Sequence, residues 1–137
     1  MLTALTALTA LLTRLQPVRI AATPEERAGI YRLRYRIYVD EQRDTHIDHV
    51  DHSRGMLCSE IDEAPGTLLF SIGPPEAPQG TLRVRCFAPG QLPESLREEY
   101  SADLFADLHT RTVCEVGYLM VLPALRRTAG VISLTSG

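Results

Sequence analysis

Gly80-Thr81-Leu82-Arg83-Val84-Arg85-Cys86-Phe87 alternates between apolar and polar side chains. Leu82, Val84 and Cys86 fall on one face and Thr81, Arg83 and Arg85 on the other, the pattern of a strand with two unlike faces. Gly73-Pro74-Pro75 precedes this stretch and Pro89-Gly90 follows it. Both breaks end regular structure, because proline lacks an amide hydrogen and glycine has little backbone preference.

Outward from this strand, Thr67 to Ile72 and Met56 to Ile61 read as two more strands on the N-terminal side. On the C-terminal side, Pro93 opens a short helix through Tyr100, and Ser101 to Leu108 adds a helical turn or two. Thr112 to Leu122 is a fourth strand, stopped by Pro123, and Ala124 starts a last helix that meets Gly130. Val18 to Ala22 reads as a short opening strand. Short breaks between consecutive strands predict antiparallel pairing, and the last strand–helix unit opens a parallel crossover. The expected fold class is α+β, a mixed and mainly antiparallel sheet flanked by helices in three layers.

Ahead of the central strands, Thr23-Pro24-Glu25-Glu26 is a helix start. Thr23 caps, Pro24 takes the first helical position, and Glu26 completes a capping box. The helix is expected to run to about Tyr38, with Ile30, Leu33, Ile37 and Tyr38 as its apolar face. Asp40 to Ser53 is polar, rich in Asp and His, and reads as a loop of the functional or mobile kind.

At 137 residues and 45% hydrophobic, the chain suits one modest domain. Its net charge of -3 provides no basic field for nucleic acid, and with no Trp and 6% aromatics it has few stacking platforms for bases. No apolar run reaches the roughly 20 residues of a membrane span. Cys58, Cys86 and Cys114 are odd in number and form no CxxC pair, which predicts buried free thiols in a reducing cytoplasm. Leu2, Leu5, Leu8, Leu12 and Leu15 recur at helical spacing, so residues 1–17 read as an amphipathic leader to a domain over 18–137. The leader is read as packed on the domain or frayed. A weak membrane-surface contact is the lesser alternative, because its polar face is Thr rather than Lys or Arg.

Three stretches carry a family resemblance. Ile30-Tyr31-Arg32-Leu33-Arg34-Tyr35-Arg36-Ile37-Tyr38-Val39-Asp40-Glu41, Gly80-Thr81-Leu82-Arg83-Val84 and Glu115-Val116-Gly117-Tyr118-Leu119-Met120-Val121-Leu122-Pro123 occur in that order, with Arg126 shortly after. Together they resemble the "RLRYxVYxxE", "GTxRL" and "ExSRLMVxPxxR" stretches of one branch of the GNAT superfamily of acyltransferases. That branch holds the bacterial long-chain N-acyl amino acid synthases and the acyl-homoserine-lactone synthases. The Leu-Met-Val-x-Pro run and the Leu92-Pro93-Glu94-Ser95-Leu96 segment are more similar to the first group. This chain departs from the pattern twice. Gly117-Tyr118 stands where the family has Ser-Arg, which removes a buried charge. Arg127-Thr128-Ala129-Gly130-Val131-Ile132 keeps one glycine of the family's pyrophosphate-binding turn but ends in Ile. The later strands of the fold are expected to be missing.

The resemblance implies transfer of an acyl group, long by the similarity, from an acyl carrier protein or CoA thioester to the amine of an amino acid or like molecule. Such a reaction needs a groove for the acyl arm, donors for the carbonyl oxygen, a base for the amine and an acid for the thiolate. By resemblance Leu119, Met120 and Val121 provide the thioester-binding strand, with Arg126, Arg127 and Gly130 beside it. As side chains these apolar residues are also plain core. Glu115, in the apolar run Val113 to Gly117, is the candidate base or amine-binding carboxylate, because burial raises a carboxylate's pKa; its alternatives are an edge-facing Glu or an ion pair with Arg83 or Arg85. Arg34, Arg83 and Arg85 are candidate clamps for a substrate carboxylate. The alternative for Arg34 is a solvated helix face, since Arg27, Arg32 and Arg36 lie near it. Glu41 and Asp48 are candidates to contact the amine, set against a merely soluble acidic loop. His46, His49 and His52 recur at a spacing open to zinc ligation, but the segment reads as loop and GNAT chemistry needs no metal. No bound metal or cofactor is expected.

The expected partners are an acyl carrier protein and a small-molecule amine, with no nucleic acid, and a homodimer could cover an open sheet edge. The expected location is cytoplasmic. The runner-up reading is a non-catalytic truncated GNAT-like fragment or binding domain. A further alternative, an acyl-homoserine-lactone synthase, calls for an N-terminal Trp motif that this chain lacks.

Overall fold

The computed structural model describes residues 17–128. The amphipathic leader, apart from Pro17, and the Gly130 end of the expected pyrophosphate turn lie outside the described residues. Strands β1 (Val18–Ile20), β4 (Thr67–Ile72), β5 (Gly80–Phe87) and β6 (Val113–Val121) form a four-stranded sheet in the order β1-β4-β5-β6. Every pairing in it is antiparallel. Strands β2 (Val50–Asp51) and β3 (Met56–Leu57) form a separate two-stranded ribbon. Helix α1 (Pro24–Tyr35) continues into a π-helical segment, Arg36–Glu41. The short helices α2 (Glu94–Glu99) and α3 (Pro123–Thr128) flank β6 in sequence.

The capping box starts α1 as read. Thr23 Oγ1 accepts from the Glu26 amide, and the Glu26 carboxylate accepts from the amides of Ala22 and Thr23. Those two amides pull the Glu26 carboxyl below its usual range. Helix α1 then lays Ile30, Tyr31 and Leu33 on the sheet. Ile30 packs with Ala21, Met56 and Leu69, and Leu33 with Ile37 and Met120. Full burial of a side chain such as Ile30 stabilises by roughly 1.5–3 kcal/mol. Gly29 permits the close approach of the loop before β5, since a Cβ there would lie 3.1 Å from Pro78 Cδ.

Two readings need correction. Met56 to Ile61 is not a strand of the main sheet. Only Met56–Leu57 is extended, and Ser59 and Asp62 form a capping box that winds Glu60–Glu63 into a 3-10 turn. The cysteines are not all free and buried. Cys86 and Cys114 face each other across β5 and β6 on the open side of the sheet and form a disulfide, leaving Cys58 free. Among the described residues, no helix is long and apolar enough to cross a membrane.

The two faces of the sheet differ. Alternation puts Leu69, Ser71, Thr81, Arg83 and Met120 under α1, where all are buried. It turns Val18, Ile20, Leu68, Val116 and Leu119 to the opposite face, where each is exposed.

Candidate functional site

Strand β6 is the outermost strand on its side of the sheet, and its ladder with β5 slips once. Thr81 pairs with Met120 but Arg83 pairs with Gly117, so Leu82 alone opposes Tyr118 and Leu119. This is a β-bulge. Tyr118 takes a left-handed backbone there, with φ 51°, which is costly for a bulky residue. Beyond the bulge, the Leu122 amide donates to the Gln79 carbonyl at 2.8 Å. Antiparallel alternation then turns the Met120 amide towards β5 and the amides of Leu119 and Val121 to the open edge.

Those edge residues line two concavities. A cleft of about 360 Å³ is walled by Ile37, Tyr38 and Gln42 from the end of α1 and by Leu119, Met120, Val121 and Arg126. Across the strand, a groove of about 430 Å³ runs over the open sheet face between Val18, Phe70, Ile72, Leu82, Val84 and the same Leu119 to Val121. The π-helical turn helps build the cleft. The Gln42 amide donates to the Ile37 carbonyl, and the wider turn carries Tyr38 and Gln42 to the cleft wall. Arg126 closes one end: its Nε donates to the Val121 carbonyl at 2.7 Å and its Nη1 to Glu41 Oε1 at 3.0 Å. Burial pushes the Tyr38 hydroxyl above its ordinary value, with the neighbouring Tyr118 adding to the shift.

Of the residues singled out in the sequence, Glu41, Leu119, Met120, Val121 and Arg126 therefore come together. Arg127 falls in α3, and its side chain is outside the description. Arg34 and Arg83 do not face a cleft. Arg34 is fully buried, with Nη1 2.9 Å from Asp62 Oδ1, and Arg83 Nη1 lies 3.5 Å from the same oxygen. Two guanidiniums thus share one buried carboxylate, which places these expected clamps in the core. Arg85 pairs with Glu115 at 3.0 Å, the ion pair that was the alternative reading of Glu115. Glu115 lies on the α1 side of β6, four residues before Leu119, or roughly 13 Å along an extended strand. Asp48 is exposed in the loop before β2 and does not line the cleft. Among the described residues, no group of three or more His, Cys, Asp or Glu side chains is arranged to hold a metal ion; His52 instead meets the Tyr35 hydroxyl at 3.0 Å.

Sequence reasoning missed Asp62 and Tyr118. The Tyr118 ring lies against both buried cations, 4.1 Å from the Arg34 guanidinium carbon and 4.8 Å from that of Arg83. The Ser59-to-Asp62 spacing of a capping box was the one available signal for Asp62.

No family model matches the chain, and no curated protein matches it. Among solved structures it is similar to FeeM, an N-acyl amino acid synthase from uncultured soil microbes, with a TM-score of 0.53 and 22% identity. The two share one fold. It is of the α+β class expected from the sequence, with a mainly antiparallel sheet. The match covers 80% of this chain and 55% of the synthase, so the chain spans about half the length of the protein it resembles.

Proposed function

We propose that this domain is an N-acyltransferase that moves a long acyl chain from a carrier-protein or CoA thioester to the amine of an amino acid or similar small molecule. One observation carries the reading: the edge strand, Leu119 to Val121, separates an apolar groove from a cleft lined by the guanidinium of Arg126, which is ion-paired to Glu41. The groove suits the hydrocarbon chain. The outward amides of Leu119 and Val121 are the donors for the thioester oxygen, where negative charge develops in the transition state. The cleft takes the acceptor, with Arg126 for its carboxylate and the paired Glu41 for its amine proton; as the C–N bond forms the C–S bond breaks, and the departing thiolate takes up that proton to leave as the thiol. The fold shared with an N-acyl amino acid synthase supports the reading.

Glu115 is the other candidate base. A base acts within hydrogen-bond reach of the proton or through one water, and Glu115 satisfies that only for an acceptor lying along the strand towards Arg85. The test incubates the purified protein with palmitoyl-carrier protein and mixed amino acids, and seeks N-acyl products by mass spectrometry. Glu41→Gln and Glu115→Gln run alongside. Loss of about 100-fold or more in one variant alone assigns the base to that carboxylate. A folded protein that yields no product removes the catalytic reading.

A further inference from the structure

The bulge in β6 sets which way the edge amides point, and Tyr118 occupies it. Strict alternation from Glu115 and Gly117, on the α1 side, would turn the next side chain to the open face. The inserted residue returns Tyr118 to the α1 side instead. There its ring meets Arg34 and Arg83 and packs edge-on against Tyr38, with ring centres 6.0 Å apart. Arg34 and Arg83 are buried at 0% and 9% exposure, and a cation gains most from a ring face when both are shielded from water. The left-handed backbone of Tyr118 opposes the bulge, and the double cation–ring contact favours it.

We infer that Tyr118 is a positioning residue: held against Arg34 and Arg83, it fixes the bulge that presents the Leu119 and Val121 amides to the cleft. This rests on the acyltransfer reading for its consequence but not for its geometry. Leu119 and Val121 follow the bulge directly, so releasing the ring rotates the strand where both concavities meet. Tyr38, which also walls the cleft, loses its packing partner at the same time.

Three proteins test it: wild type, Tyr118→Phe and Tyr118→Gly. Phenylalanine keeps the ring face. Glycine accepts the positive φ without strain and removes only the ring. Two readouts are taken, amide hydrogen exchange at Gly117 and Met120, which flank the bulge, and the dissociation constant for palmitoyl-pantetheine. Tyr118→Phe is expected to match wild type in both. Tyr118→Gly is expected to exchange faster and bind more weakly, each by about tenfold, the size of one buried cation–ring contact. Wild-type exchange in Tyr118→Gly overturns the proposal, as does an equal loss in Tyr118→Phe. If wild type itself does not bind palmitoyl-pantetheine, the acyltransfer reading fails and exchange alone decides the positioning role. Should the glycine variant not fold, Tyr118→Asn, which also tolerates a left-handed backbone, takes its place with the same expectations.

Discussion

Replacing Asp62 by Asn is the sharpest test of how this core is held together. Asp62 Oδ1 lies 2.9 Å from Arg34 Nη1 and 3.5 Å from Arg83 Nη1, and the three side chains are 0%, 0% and 10% exposed. With the carboxylate present the cluster carries one net positive charge; without it, two buried cations have no counter-ion. At an effective dielectric of about 20, unit charges about 4 Å apart interact by roughly 4 kcal/mol. Removing one partner of a buried pair costs about 3–5 kcal/mol once the stranded charge is counted. Asparagine keeps the shape and an oxygen that can accept from the Ser59 amide, so the capping turn survives and the charge is what is lost. For a chain of 137 residues, that cost lowers the unfolding midpoint by about 10–20 °C. The comparator is Arg34→Met, which leaves Asp62 paired with Arg83 in a neutral cluster and is expected to cost only about 1–2 kcal/mol. Thermal and urea unfolding followed by circular dichroism measures both. An Arg34→Met cost equal to that of Asp62→Asn refutes the charge count, as does a midpoint shift under about 3 °C for Asp62→Asn.

Two further outcomes follow from the same structure. Burial pushes the Tyr31 and Tyr38 hydroxyls above the ordinary phenol value, with the hydrogen bond to Glu63 adding at Tyr31. The folded chain then keeps protons that the unfolded chain releases, so stability holds below about pH 10 and falls as pH rises through the raised values. Urea midpoints from pH 8 to pH 11 check this, and Tyr31→Phe should make the alkaline loss shallower. The Cys86–Cys114 disulfide closes a loop of sequence separation 28, so its reduction should cost about 3–4 kcal/mol by loop entropy. Unfolding with and without reductant measures that cost. Under native oxidising conditions only Cys58 should react with a thiol-alkylating reagent, as read by mass spectrometry.

What the sequence revealed divides along the range of the forces involved. Strands 67–72 and 80–87 were legible to the residue, because alternation and the flanking Gly and Pro are local. So was the cap at Thr23. Met56 to Ile61 misled because its apolar content matched a strand while Ser59 and Asp62 diverted the backbone into a turn. The α1 periodicity continued through Tyr38, but it carried no sign that the helix widens to a π turn at Arg36. Arg34 was ambiguous for a different reason. Its neighbours Arg32 and Arg36 are solvent-exposed, as a charged run predicts, and only a carboxylate far along the chain makes its burial affordable. The cleft was partly legible, since Glu41, Leu119 to Val121 and Arg126 lie in the family-like motifs. Tyr38 entered the reading as core and Gln42 as loop; both became cleft walls only when α1 met β6.

Gly117-Tyr118, the departure from the Ser-Arg of the similar family stretch, turns on its second residue. The pocket under α1 already holds Arg34 and Arg83 against the single carboxylate of Asp62. An arginine at 118 would put a third cation on that carboxylate, at a cost set by charge burial. A tyrosine ring offers the two cations an electron-rich surface and adds no charge. A Cβ at Gly117 would meet the Arg83 guanidinium at 3.6 Å, an ordinary contact, so the tyrosine and not the glycine is the change that matters here. Ring and left-handed backbone at Tyr118 therefore belong to one solution. It preserves a bulge at the place where the strand edge meets the cleft, using a contact between cations and a ring in place of a third buried charge.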